Sequence, residues 1–214
     1  MIIELYGLTR SGKTYLAKKL NKKGFELASY NSKFLKYANS FIFFVRNPII
    51  SSDLIHRLNK FSNSSVSLMN LRKRIKLRII RNILLLATMA SYNKAQSSNE
   101  DIILDEGFFQ IIHTIYEEKS SKERINEIMN IIPKPDLLVI INSPKKIRMK
   151  RLMDKGYPRK DEFGEKYFKE WHLTMKHNDL LINKILVEKE FDFIVEKVNF
   201  NRSFDILKIL KSGK

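Results

Sequence analysis

The eight residues GLTRSGKT (7–14) constrain this chain more than any other stretch. Gly7, four intervening residues and then Gly12-Lys13-Thr14 reproduce the GxxxxGK[ST] spacing of a phosphate loop. The chemistry needs those residue types at that spacing. Gly7 lets the backbone turn off a strand without a Cβ clash, and Gly12 lets successive N–H groups point inward as an anion nest. Lys13 brings a point charge to the β- and γ-phosphates, and the Thr14 hydroxyl is a ligand for Mg²⁺. The apolar run MIIELY before the loop and the helical pattern from about Thr14 to Lys23 after it supply the strand–loop–helix setting. The helix adds its positive N-terminal end to the bound anion.

A chain of 214 residues is long enough for one well-cored domain with a small lid and short for two independent ones. There is no cysteine, which excludes disulfides and thiolate metal sites. The N-terminus has no basic segment followed by a long apolar one, so no secretory signal is expected. The apolar runs FIFFV (41–45) and NILLLATMA (82–90) fall short of the about 20 residues of a membrane span, and a soluble, cytoplasmic protein is expected. A formal charge of +17 suits polyanionic partners, but the lysines are spread along the length. A solvated surface is the favoured reading of such diffuse charge, and nucleic-acid binding the minority one.

Short apolar runs alternate with helical patterns, which predicts an α/β fold with a five-stranded, mainly parallel sheet and helices on both faces. The strand candidates are 2–7, 25–30, 101–107, 136–144 and 191–198. Ligands of such sheets bind beyond the C-terminal strand ends, where Gly7 and Asp105 both fall. Residues 31–99 read as a helical region on the acceptor side. Within it, Ile75, Ile79, Ile83 and Leu86 recur at helical spacing and predict a buried stripe, with the basic run RKRIKLRIIR (72–81) partly on the opposite, solvated face.

Two further segments carry chemistry. IILDEGFFQ (102–110) is an apolar strand ending in two carboxylates. Asp105 stands where an acid beside a phosphate loop would hold Mg²⁺, and either Asp105 or Glu106 is the acid that faces the acceptor. KKIRMKRLMDKGYPRKDEF (145–163) places Arg148 and Arg151 three residues apart on one helix face, followed by Arg159 and Lys160 after a Gly-Tyr-Pro turn. Cations on a closing segment would stabilise the transferring group and exclude water.

The order of these pieces resembles the P-loop nucleoside and nucleotide kinases, with the nearest likeness to thymidylate kinases and deoxynucleoside kinases. GLTRSGKT is similar to the thymidylate kinase loop that carries an arginine before its final small-Gly-Lys, the place held by Arg10. MKRLMDKGYPRKDEF followed by YFKEWHLTMKHNDLL resembles the lid and the helix after it. The resemblance implies a P-loop three-layer sandwich, lid roles for Arg148, Arg151 and Arg159, and a strand-end role for Asp105. The chain also departs from that family. Thr9 replaces an acid of the loop, and Asp105-Glu106-Gly107 replaces Asp-Arg-Tyr, an acid standing in for the phosphate-binding arginine.

The expected activity is transfer of the γ-phosphate of ATP, with Mg²⁺, to a nucleoside, a nucleotide or a related hydroxyl compound. Gly7, Thr9, Arg10, Ser11, Gly12, Lys13, Thr14, Arg148, Arg151 and Arg159 form the nucleotide-binding set. Lys13, Asp105, Glu106, Arg10 and Arg151 form the catalytic set, and Thr14 and Asp105 the metal ligands. Tyr30, Arg46, Arg72, Phe109 and Gln110 are candidate acceptor contacts. His56, His113, His172 and His177 have no ligand-like spacing and read as surface or core residues. An ATPase and a nucleic-acid-associated kinase or binding protein are the alternatives. The chain contains no Asn-Lys-x-Asp guanine signature, which disfavours a GTPase. A homodimer is compatible with the sequence, which is silent on oligomeric state.

Overall fold

A computed structural model describes residues 1–28, 32–60, 71–115, 118–156 and 158–199. Alternation of side chains along β1 (Ile2–Tyr6) organises the whole molecule. Ile3 and Leu5 point to one face of the sheet and Glu4 and Tyr6 to the other, and all four are fully buried. Burial on both faces is the condition of a parallel sheet covered by helices.

The other strands are β2 (Glu26–Leu27), β3 (Ile102–Leu104), β4 (Leu137–Asn142) and β5 (Ile194–Asn199). They lie in the order β2-β3-β1-β4-β5, and every pairing is parallel. The chain winds outward from β1 in both directions, so the two strands beside it, β3 and β4, leave a crevice at its C-terminal end. That crevice receives the loop 7–12.

On the Ile3 and Leu5 face, helix α1 (Lys13–Asn21) inserts Leu16, Ala17 and Leu20 against Ile103, Leu137, Val139 and Ile141. The Glu4 and Tyr6 face carries the larger core. It is covered by α4 (Leu71–Gln96), α5 (Phe108–Ile115), α6 (Lys122–Ile131) and α9 (Glu165–Glu188), through residues such as Tyr92, Phe108, Ile125 and Ile182. Helices α2 (Lys33–Arg46) and α3 (Pro48–Lys60) lie outside α4 and contribute Phe43 and Leu54 to that core. The result is a three-layer α/β sandwich, as the alternation of apolar runs predicts.

Among the described residues the expected helical region contains three helices, but of the expected stripe on α4 only Leu86 packs against the core and the three isoleucines face outward. Ile75, Ile79 and Ile83 are exposed, at 52%, 53% and 44%, and the buried face is Leu77, Arg81, Leu85, Thr88, Met89 and Tyr92. These recur at helical spacing too, but Arg81 and Thr88 break the apolar pattern, whereas the isoleucine row is uninterrupted. Residues 145–163, the expected lid, contain α7 (Lys145–Lys155) and α8 (Pro158–Phe163). Phe163 packs edge-on against Tyr167 in a cluster with Leu77, Trp171 and Met175, and Lys76 pairs with Glu162, so α8 rests on α4 and α9.

Candidate functional site

The phosphate loop is built almost wholly from backbone. Gly7 has φ +154°, and a Cβ there would lie 2.7 Å from the carbonyl oxygen of Ile141 and 2.9 Å from Ser11 Oγ, so only glycine fits between β1 and β4. Arg10 has φ +66°, a left-handed conformation that a non-glycine residue holds only when its surroundings impose it. One such restraint is visible, since Arg151 Nη1 donates to the Arg10 carbonyl at 3.0 Å. Gly12, at φ +111°, caps α1 and leads its first N–H groups into the loop. Lys13 is buried and donates to the Gly7 carbonyl at 2.8 Å. Burial lowers its pKa, while Glu106, Asp105 and Asp179 act in the opposite direction.

A cavity of about 540 Å³ opens over this loop, lined by Thr9 to Tyr15 together with Glu106, Gln110 and Arg151. Thr9, Arg10, Ser11, Gly12, Lys13, Thr14 and Arg151 are thus gathered in one place. Arg148 is not among the lining residues. Its Nε donates to the Ser143 carbonyl at 3.1 Å, and burial lowers its pKa against the opposing charge of Asp179. Arg159 falls in α8, and its side chain lies outside the described residues.

A second cavity of about 270 Å³ adjoins the first. Its walls come from α4 (Leu84, Thr88), α5 (Gln110, Ile111, His113), α7 (Leu152) and α9 (Phe168, Trp171, Met175). The two cavities share Thr9, Arg10, Glu106 and Gln110. Glu106 stands at this junction, its pKa raised chiefly by desolvation and further by Asp105, with Lys13 opposing. Asp105 instead lines a smaller neighbouring cavity with Ala28, Thr88 and Ser91, and its buried Oδ1 has no protein partner. Thr14 in the loop cavity and the partnerless Oδ1 of Asp105 in the neighbouring one, with Glu106 lining both, offer oxygen donors of the kind that Mg²⁺ takes. Among the described residues no cluster of three or more His, Asp or Glu side chains suits a metal by itself, so phosphate oxygens would have to complete the shell.

The acceptor candidates separate cleanly. Gln110 lines both cavities, and its buried Oε1 has no protein partner. Phe109 is a core residue packed against Phe193. Arg46 is engaged by Asn93 and Ser97, and Arg72 is exposed at the start of α4. Tyr30 lies outside the described residues. His113, read from sequence as an ordinary residue, is in the cavity wall. Tyr6 stacks on it and donates its hydroxyl proton to Asp179 Oδ1 at 2.7 Å, so His113 Nε2, 3.0 Å from that hydroxyl, carries the imidazole proton. Its Nδ1 is left as a buried acceptor without a protein partner, and burial drives its pKa down to about 3, which keeps the ring neutral. No spacing rule links residues 6, 113 and 179, so the sequence carries no signal for this group.

Thus a strand–loop–helix phosphate cradle opens beside a partly apolar cavity, under a basic helical cover. The fold is that of the P-loop nucleoside and nucleotide kinases. No family model matches the chain, nor does any curated protein. Among solved structures, deoxyadenosine kinase from M. mycoides, solved with the products dCMP and dCDP, matches with a TM-score of 0.57 at 15% identity, covering 99% of this chain and 100% of that one. The same kinase with dATP gives 0.54 at 15% identity over both whole chains. Thymidylate kinase from Candida albicans gives 0.52 at 18% identity, over 99% of this chain and 91% of that one. At such identities the likeness is one of fold.

Proposed function

We propose that this protein is an ATP-dependent kinase that transfers the γ-phosphoryl group to a hydroxyl of a nucleoside. The observation that carries the acceptor class is the charge of the second cavity. Among the described residues that line it the single cation is Arg10, which belongs to the phosphate loop and lines the junction together with the acid Glu106. A nucleoside monophosphate would bring about two negative charges into a pocket whose described lining has no cationic clamp of its own. An uncharged nucleoside fits better. Phe168 and Trp171 offer ring faces, and Gln110 Oε1 and His113 Nδ1 offer buried acceptors to N–H or O–H groups. Deoxyadenosine kinase, among the structural neighbours, is by its name an enzyme of that acceptor class.

In this reading the loop amides, Lys13 and Arg151 hold the triphosphate with its γ-phosphorus at the junction. Mg²⁺ held by Thr14 and the strand-end acids, Asp105 first, would neutralise charge on the β- and γ-oxygens. Glu106 orients the acceptor hydroxyl and takes its proton as the oxygen–phosphorus bond forms. The bond from γ-phosphorus to the bridging oxygen breaks and ADP leaves. Arg10 and Arg151 stabilise the charge on the transferring group.

The decisive experiment is a γ-labelled ATP screen of nucleosides against nucleoside monophosphates. Label is expected on nucleosides, and a Glu106→Gln variant is expected to transfer about a hundredfold more slowly, the size of a lost general base. Labelling of monophosphates alone would refute the acceptor class. ATP turnover that needs no acceptor would move the activity to an ATPase.

A further inference from the structure

Glu4 takes no part in the chemistry above, yet it is the only acid among the five residues of β1 and is fully buried. Burying a carboxylate is costly unless several donors meet it. Here Tyr92 of α4 donates its hydroxyl to Oε2 at 3.0 Å, and the backbone N–H of Phe109 donates to Oε1 at 2.7 Å, with that of Gln110 farther off at 3.4 Å. The two amides belong to the first turn of α5, whose N–H groups have no partner within the helix. A side chain of β1, more than 100 residues earlier in the chain, therefore caps that helix from beneath.

The cap is fitted to the turn it holds. A Cβ on Gly107 would lie 2.2 Å from the carboxyl carbon of Glu4, so the turn rests directly on the carboxylate. Glu106 is the residue before this contact, and Gln110 carries one of the capped amides. Both line the junction of the two cavities.

We propose that Glu4 is a positioning residue, which fixes Glu106 and Gln110 at the point of phosphoryl transfer by latching the start of α5 to β1. Glu4 touches neither nucleotide nor acceptor. Its geometry acts through reach, and a side chain with the same reach should serve. The inference rests on the role given above to Glu106.

Two substitutions separate reach from charge. Glu4→Gln keeps the length and an oxygen that accepts from both amides, and its kcat is expected within about threefold of the parent protein. Glu4→Asp keeps the charge but withdraws the carboxylate by about 1.5 Å, one carbon–carbon bond. It is expected to lower kcat at least tenfold, with the KM for ATP within threefold. Combined with Glu106→Gln in a double-mutant cycle, Glu4→Asp should add almost nothing, since a displaced and a neutralised acid fail at the same step. Full activity of Glu4→Asp, or losses that multiply in the cycle, overturns the proposal. Should Glu4→Asp not fold, Tyr92→Phe removes one of the donors that orient the carboxylate. It is then expected to lower kcat about threefold in the same cycle, and an unchanged kcat overturns the proposal. If Glu106→Gln itself retains full rate, the role of Glu106 fails instead, which distinguishes that outcome from failure of the latch.

Discussion

The phosphate cradle and the cavity proposed above for the acceptor share four residues and are built in opposite ways. The cradle comes from one continuous octapeptide. It is built mostly of backbone, its conformations are fixed by Gly7, Arg10 and Gly12, and its own charge comes from Arg10 and Lys13. The acceptor cavity comes from side chains on α4, α5, α7 and α9, separated by up to 91 positions between Leu84 and Met175. Beneath it lie two polar groups hung from the same face of β1: Glu4 with Tyr92, and Tyr6 with His113 and Asp179. A site made of backbone tolerates change outside its few special residues. One made of packed side chains depends on everything that holds those side chains still.

The largest expected effect falls on the cradle. Lys13→Ala removes the one buried cation beside the Gly7 carbonyl, and transfer should drop about a thousandfold or more, roughly 4 kcal/mol of transition-state stabilisation. Circular dichroism and the thermal midpoint should stay near those of the parent protein. A variant that keeps its rate would show that the cradle does not bind the triphosphate through this residue.

Next comes the polar layer under the acceptor cavity. The Glu4 pKa is raised from 4.5 to about 7, with burial as the first cause and the donors from Tyr92, Phe109 and Gln110 opposing it. A raised folded pKa means the native state holds the proton more tightly than the unfolded chain does. The associated stability is complete below pH 4.5 and is lost as the pH rises through 7. Over about 2.5 pH units this amounts to roughly 3 kcal/mol at most. Glu4→Gln should therefore be more stable than the parent protein at pH 8 and match it near pH 4. Chemical denaturation at both values measures the difference, and equal gaps at the two would mean that folding does not raise the Glu4 pKa.

A smaller effect should separate the two cavities directly. Trp171→Ala removes a ring face from the wall of the second cavity, and Trp171 is not among the residues that line the cradle cavity. The acceptor KM should rise about tenfold, near 1.4 kcal/mol, with the KM for ATP unchanged. Equal changes in both would mean that the cavities do not act as separate subsites.

How much of this is legible in the sequence follows from the same contrast. The cradle, the five strands, the two strand-end acids and Arg151 are carried by local spacing, and the structure brings Glu106 and Arg151 to the loop while Asp105 lines the neighbouring cavity. Arg148, Arg46, Arg72 and Phe109 have the right residue types but find protein partners or solvent instead. Gln110 is found by proximity to the acids, while His113, Phe168 and Trp171 give no sign, because only tertiary packing makes them neighbours. Helix α4 misleads for a physical reason. Its buried face accommodates Arg81 and Thr88 among apolar residues, so the cleaner isoleucine row on the outside imitates a core stripe.

That row offers the smallest effect and the sharpest contrast within one helix. Ile79 is half-exposed, whereas Leu77, two positions earlier, is buried against Phe163, Tyr167 and Trp171. Ile79→Ser should change stability by no more than about 0.5 kcal/mol, as surface substitutions do. Leu77→Ala should cost about 2–4 kcal/mol, because it opens a cavity where α4 meets the lid. It should also weaken the acceptor side before the cradle, since Trp171 belongs to both the cluster and the acceptor wall. Denaturation midpoints of the two variants decide the assignment. A loss at Ile79 equal to that at Leu77 would restore the isoleucine row as a packed face, and its dependence on protein concentration would tell whether a second copy covers it.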